Sequence, residues 1–420
     1  MFIYYDFSLK LRWALWGFLA VFVLVFQFVD FAALALALVL YVFFTVFFWG
    51  TFYYHLRTGA PKTNFVRFWR LVLENPDSTS GNFQEHVPKA LISLFTLQYL
   101  VSEPLSAGRI TLVLLFAAAL GIASYLIHRR FFNWKPVYPS EPTREINEDG
   151  PLAERVIVVV IDGCRLDRFR EARKPYLEEM MASGTVYESV ETTYPARTVV
   201  CFSSMFTGAA PEAHGIRSNL VLKLGLKVES IFDVLRRHGK VGRLVGSAHL
   251  IDAFGDDVAS VTSVAHNDKI DQNLIAAARR ELTEHDPELL ILQLLAVDQN
   301  GHTRGTYYTE YVERIEITDS LIEEFMRWCE ERGYLRDTAV ILMADHGQGI
   351  GIGAHGHLSE GERFVPFAMW GSGVAKGRTI SEPRSILDLA PTISYLLGVE
   401  PPGGSTGRVF TEALDRRKRP

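Results

Sequence analysis

Cysteine is nearly absent: the 420 residues contain three thiols, Cys164, Cys201 and Cys329, and no C-x-x-C pair. Three thiols so spaced build neither a disulfide framework nor a clustered-thiolate metal site. Each is read as a small buried side chain, and cysteine usage leaves the compartment open. Basic charge is also short. The formal net charge is −5, and residues 136–420 carry 32 Lys+Arg against 42 Asp+Glu. Nucleic-acid footprints are basic, so no nucleic-acid partner is expected. An acidic balance of this kind mostly reflects a solvated surface, and it also suits carboxylates that hold cations. Finally, acidic side chains are missing from two long stretches near the start, which turns attention to what is there.

Those stretches are "LRWALWGFLAVFVLVFQFV" (Leu11 to Val29) and "FAALALALVLYVFFTVFFW" (Phe31 to Trp49), separated by Asp30. Each is long enough to cross a hydrocarbon core of about 30 Å. The first lacks a small-residue cleavage site and is followed at once by the second, which argues against a signal peptide. A third run spans Ile110 to Ile127. A fourth, Ala90 to Val101, has 12 residues and reads as a short span or an interfacial helix. Basic clusters at Lys10/Arg12, Arg57/Lys62/Arg67/Arg70 and Arg129/Arg130/Lys135 favour four spans and a cytoplasmic C-terminal part by the positive-inside rule. Three spans place that part outside. The expected organisation is a helical transmembrane domain over 1–135, a Pro- and charge-rich linker over 136–154, and a catalytic domain over 155–420. The lipid bilayer is thus an expected partner; no protein partner is.

From Arg155 onward, short apolar runs end in polar clusters and alternate with helical patterns. "VIVVVI" (Val156 to Ile161) stops at Asp162-Gly163, "LLILQLLAV" (Leu289 to Val297) at Asp298, and "AVILMA" (Ala339 to Ala344) at Asp345-His346. This alternation predicts an α/β fold, a mostly parallel central sheet with helices on both faces. Ligands collect beyond the carboxyl ends of such strands, and three strands deliver a carboxylate there. With His302 in "AVDQNGH", His346 in "MADHGQG" and His355 in "GAHGH", the candidate ligands become Asp162, Asp298, His302, Asp345, His346 and His355. Carboxylate and imidazole without clustered thiols suit zinc or manganese. Two ions about 3.5–4 Å apart can share such a set, one at a nucleophile and one at a substrate oxygen. The stretch "YPARTVVCFSSMFTGAAPEAHG" (Tyr194 to Gly215) offers four hydroxyls, Thr198, Ser203, Ser204 and Thr207. It reads as a helix opening at Thr198 and stopping at Gly208.

Taken together, the strand followed by "DG", the segment "TTYPARTVVCFSSMFTGAAPEAHGIRSN", "DQNGH", "DHG" followed by "GAHGH", and "LGVEPPGGSTGR" resemble the alkaline phosphatase superfamily. The branch resembled is that of type I phosphodiesterases and nucleotide pyrophosphatases, and the likeness covers residues 155 to 410. It implies an alkaline-phosphatase-like fold and two divalent metal ions, zinc first and manganese second. By the same resemblance Asp162, Thr198, Asp345 and His346 surround one ion, and Asp298, His302 and His355 the other. Thr198 matches the family nucleophile, and Asn219 matches the asparagine that helps hold the phosphoryl oxygen. "GAHGH" also offers His357 in place of His355. His214, His249 and His266 are read as structural, and Arg165 as an anion contact or a surface ion pair.

These readings combine into a multi-pass membrane protein with a two-metal phosphodiesterase or phosphohydrolase domain. It is expected to act through a phospho-threonine intermediate on a phosphodiester or nucleotide pyrophosphate. The alternative is a phosphoalcohol headgroup transferase acting on lipid-linked substrates, which multiple spans favour; a non-catalytic membrane scaffold is the reading of another class. A formylglycine sulfatase needs a C/S-x-P-x-R context that "ARTVV" lacks. Membrane-anchored relatives face outward, so the resemblance points to an extracytoplasmic catalytic domain.

Overall fold

Six consecutive β-branched residues, Val156 to Ile161, need cover on both faces of a sheet. In the computed structural model all six have no exposed surface and form most of β1 (Arg155–Ile161). The structure describes residues 96–131 and 136–415, apart from 218, 220–224, 262–266, 350–354 and 357–358, together with five positions between 32 and 40. The chain divides into two compact units, Met1–Lys135 and Pro136–Pro420.

In the first unit a helix, Ala107–Phe131, covers the third apolar run. Its side chains are described chiefly over the N-terminal half. Among the described residues, no helix is long and apolar enough to cross a membrane. The first expected span, all but five positions of the second, and residues 90–95 of the fourth apolar run lie outside the described residues.

The second unit is built on one sheet. Its further strands are β2 (Thr185–Glu191), β3 (Gly242–Gly246), β4 (Val258–Ser260), β5 (Leu289–Leu294), β6 (Thr338–Met343), β7 (Phe364–Gly371), β8 (Arg378–Ile380) and β9 (Arg384–Ser385). The order is β4-β3-β5-β1-β6-β7-β2-β8, with β9 also paired to β2. The sheet is mixed: β7 runs antiparallel to β6 and β2, and the remaining pairs are parallel. Register puts Ile161 opposite Leu294 and Val160 opposite Met343, so β1, β5 and β6 end level. Their following residues therefore emerge at one sheet edge, which the C-terminal end of β2 shares.

β5 stops at Leu294 rather than Val297, and Asp298 sits in the first turn of a helix, Ala296–Thr303. The buried Asp271 carboxylate causes this early turn. Its Oδ1 accepts from Leu295 N at 2.7 Å and Ala296 N at 3.1 Å, satisfying donors that a new helix leaves open. Residues 136–154, expected as a linker, are bonded to the unit at several points. The Tyr138 hydroxyl accepts from Tyr194 N at 2.7 Å. Thr143 Oγ1 meets Ser405 Oγ at 2.8 Å, and Leu152 N donates to Leu396 O at 2.8 Å.

Candidate functional site

The helix Thr198–Thr207 is made of poor helix formers, yet all ten residues are buried, and Gly208 ends it at φ 66°. Burial, not propensity, makes it a helix. Its four hydroxyls have different fates. Ser203 donates to Val199 O, Thr207 to Ser203 O, and Ser204 bonds His214 Nε2 at 3.0 Å. Thr198 alone turns to the sheet edge, its Oγ1 3.3 Å from His346 Nε2. It opens the helix, where free N–H groups and the dipole favour negative charge. Asn219 Oδ1 accepts from Val199 N at 3.0 Å, which brings that asparagine to the same helix start.

Around Thr198 the three carboxylates and three imidazoles converge. Among the described residues, ligand atoms of Asp298, His302 and His355 lie within 4.8 Å of one another, as do those of Asp162, Asp298 and His346. Asp298 thus belongs to both clusters, a bridging position that the sequence reading assigned to one. Asp345 Oδ2 lies 3.4 Å and Asp162 Oδ1 3.6 Å from His346 Nε2. His355 Nε2 lies 3.0 Å from His302 Nε2, which in turn is 3.2 Å from Asp298 Oδ2. The rings of His346 and His355 stack at 4.3 Å.

The donor set fits divalent cations. His346 Nδ1 faces Gly347 O and His355 Nδ1 faces Ala196 O, both at 2.9 Å. A carbonyl accepts, so each Nδ1 carries the proton and each Nε2 presents a lone pair inward. Asp162 Oδ1 and Asp345 Oδ2 are buried with no hydrogen-bond partner, an arrangement that needs a cation or a proton. Burial, then repulsion from Asp345 and Asp298, pushes the Asp162 carboxyl well above its usual range, and burial pushes Asp345 up. Burial also opposes the charge on Asp298, yet the adjacent imidazoles, His302 foremost, hold it below the usual range. Burial and the neighbouring His346 and His302 keep His355 neutral, well below the imidazole range. A bound divalent ion reverses the penalty on the acids.

The structure also shows how the ligands are held. Gly163, at φ 65°, leaves room for Asp298: a Cβ there would meet Asp298 Oδ1 at 2.4 Å. Its N–H donates to Asp345 Oδ1 at 3.1 Å. Gln293 Nε2 donates to Asp162 Oδ2, and Gln348 Nε2 to Asp298 Oδ1. Sequence reasoning missed both glutamines. The available signal was an amide inside the apolar run "LLILQL", since a buried amide must find partners.

Arg165 forms an ion pair, with the largely exposed Asp167, while being mostly buried itself. It is 5% exposed, with its guanidinium held by Asp167 at 2.9 and 2.6 Å and by Gln348 O at 2.6 Å. His214 is buried, accepts from Ile216 N at 3.1 Å, and is pushed down to about 3 by burial. His266 and His357 lie outside the described residues. Burial pushes the Cys201 and Cys329 thiols up to about 12, so neither is a thiolate at neutral pH.

The sulfatase family model matches residues 155–399, more than half of the chain. Among curated proteins, GPI ethanolamine phosphate transferase 2 of Aspergillus fumigatus is 25% identical over 323 residues, covering 70% of this chain and 42% of that protein. GPI ethanolamine phosphate transferase 1 of Mus musculus is 25% identical over 353 residues, covering 69% and 36%. The chain therefore spans less than half the length of these relatives. Among solved structures, murine ectonucleotide pyrophosphatase/phosphodiesterase 5, as an inactive threonine-to-alanine variant with AMP, aligns with TM-score 0.51 and 14% identity over 59% of this chain and 96% of that one. Alkaline phosphatase PafA aligns with TM-score 0.53 and 12% identity over 63% and 99%. These two likenesses concern the fold. With the family model laid over the whole sheet and every ligand-bearing strand end, the chain belongs to the sulfatase family, within the alkaline phosphatase superfamily.

Proposed function

We propose that this protein is a metal-dependent transferase that moves a phosphoalcohol group, with ethanolamine phosphate as the leading case, from a donor phosphodiester to a hydroxyl of a lipid-linked acceptor. The observation that carries the reading is Thr198 Oγ1, fixed at a helix start 3.3 Å from His346 Nε2 inside a ring of buried acids and imidazoles. The transferase names of the relatives and the long apolar runs of the first 135 residues support the lipid-linked acceptor. Nucleotide pyrophosphates rest on fold likeness alone and are not carried forward. Sulfate ester cleavage through formylglycine is disfavoured by threonine at 198.

Asp162, Asp298, Asp345, His302, His346 and His355 would hold two divalent ions. When bound, these supply positive charge to the phosphoryl oxygens and lower the pKa of a nearby hydroxyl. The remaining steps belong to the chain. Thr198 Oγ1 forms a bond to phosphorus while the bond to the donor's alcohol oxygen breaks, and the threonine proton ends on that departing oxygen. Amide donors at the helix start, with those of Asn219, face the oxygens that gather charge. In the second half the acceptor hydroxyl forms its bond to phosphorus, and Thr198 Oγ1 leaves and regains a proton. Two displacements give overall retention at phosphorus. Water in the acceptor's place makes the same site a hydrolase.

The test uses the full chain in lipid nanodiscs with headgroup-labelled phosphatidylethanolamine and a mannosylated glycolipid acceptor. Label appearing on the acceptor, and a trapped ethanolamine-phosphate adduct on Thr198, support the reading. Label released only as free ethanolamine phosphate turns it into a hydrolase. Label movement unchanged in Thr198→Ala ends it.

A further inference from the structure

We propose that Gln293 and Gln348 are positioning residues that brace the ends of β1, β5 and β6 against one another and so hold the acids of the two ion sites, the shared Asp298 among them, at the spacing that two ions need. The inference rests on the two-ion reading above and goes beyond it. Each glutamine stands on one of the segments that carry these acids and donates to a carboxylate on another. Gln293 lies on β5, which leads to Asp298, His302 and their helix, yet its amide donates to Asp162 Oδ2. Gln348 follows Asp345 and His346, yet its amide donates to Asp298 Oδ1 and, at 2.9 Å, to Asp298 O.

Three further observations separate this from ordinary satisfaction of buried amides. First, both side chains are 0% exposed, and the chain makes room for each with a glycine. A Cβ at Gly246 would meet Gln293 Oε1 at 2.5 Å, and one at Gly301 would meet Gln348 Oε1 at 1.9 Å. Second, the Gln293 amide and the Gln348 backbone are each anchored from behind. Gln293 Oε1 accepts from Ser247 N at 2.8 Å, and the Gln348 backbone carbonyl accepts from Arg165 Nη1 at 2.6 Å. Third, Gln348 Oε1 is buried without a hydrogen-bond partner among the described residues. A buried polar atom left open is costly, and its retention marks the amide's other end as the part that matters.

The chemistry of the donor explains the residue type. Each clamped carboxylate has one oxygen tied to an N–H, which leaves Asp162 Oδ1 and Asp298 Oδ2 facing the imidazoles. An amide does this without charge. Lysine or arginine in its place would add a cation that competes with the metal ions, and glutamate would add a fourth acid. Because one clamp ties the β5 segment to the end of β1 and the other ties the segment after β6 to Asp298, none of the three strand ends can shift along the sheet edge without straining a clamp.

The test compares the full-length protein with Gln348→Met and Gln293→Met, which keep side-chain volume and remove the donor. Manganese is titrated by calorimetry, and exchange coupling between two bound Mn²⁺ ions is read by electron paramagnetic resonance. The wild type should bind two coupled ions. Each variant should bind the second ion about 10–100-fold more weakly and lose the exchange-coupled signal, with its thermal unfolding still cooperative. Should a methionine variant fail to fold, Gln348→Asn, which keeps the amide but shortens its reach, gives the same readout. Two coupled ions at unchanged affinity in the folded variants would overturn the brace alone. Fewer than two ions in the wild type would overturn the two-ion reading and the brace with it.

Discussion

Replacing Gly301 by alanine should destabilise this protein, although the same change in most helices does the opposite. Gly301 lies inside the helix Ala296–Thr303 and is not among the residues of positive φ. Backbone preference alone therefore predicts a gain of about 1 kcal/mol. The added methyl would, however, sit 1.9 Å from Gln348 Oε1 and 2.5 Å from its Cδ. Either the crowding stays, at about 1–3 kcal/mol, or the amide withdraws and its bond to the Asp298 carboxylate is lost, at about 1.5–3 kcal/mol. The two costs are alternatives, so after subtracting the helix gain the net loss is about 0–2 kcal/mol. The assay is denaturant unfolding of chelator-treated protein followed by circular dichroism, in a cycle with Gln348→Ala. Once the amide is gone, Gly301→Ala should recover its gain of about 1 kcal/mol, giving a coupling of about 1–3 kcal/mol. A stabilised single mutant, or equal effects in both backgrounds, would refute the reasoning.

Other outcomes follow from the same geometry. Thr198→Ala should lower transfer by at least about 10³-fold while ion binding measured by elemental analysis persists; loss of the ions with the activity would show a structural role instead. Metal binding should release protons, more of them as pH falls, because Asp162 and Asp345 sit above their usual range without a cation; calorimetry in buffers of different ionisation enthalpy reads the number, and none at any pH is the contrary result. Burial raises Asp271 to about 6 against an ordinary value of 3.8. The folded state therefore binds this proton more tightly than the unfolded chain, so its contribution to stability grows as pH falls from about 6 toward 3.8 and is lost as pH rises through 6, by at most about 3 kcal/mol. Unfolding of wild type against Asp271→Asn across that window isolates it, and parallel pH profiles would dismiss it. Tyr138→Phe removes the acceptor of the Tyr194 N–H and should cost about 1 kcal/mol, measured by thermal unfolding.

What the sequence revealed of this site follows from where its information is local. An aspartate that ends an apolar run declares itself, and Asp162 and Asp345 stand one and two residues beyond β1 and β6. The helix at Thr198 was legible from its stop at Gly208. The early end of β5 was not, because "LLILQLLAV" stays apolar to Val297 and the carboxylate that halts it comes from Asp271, 24 residues away along the chain. The reversed direction of β7 leaves no mark in composition, since a buried strand reads alike both ways. Gln293 looked like one polar interruption in an apolar strand, and its meaning lies in Asp162, 131 residues distant. Arg165 was half legible: its ion pair with Asp167 is local, but nothing near it in sequence announces its bond to Gln348 O.

The stretch preceding β1 bears on how a lipid-free form of this protein should be cut. A fragment trimmed to the first strand would look complete by its sheet and by its six ligands. It would nonetheless discard the phenol that grips the peptide four residues upstream of Thr198, and the threonine that ties down Ser405. A start at about residue 136 retains both. Two such truncations, differing by fewer than twenty amino acids, should therefore unfold at different temperatures and turn over at different rates, with the shorter one misleadingly sluggish.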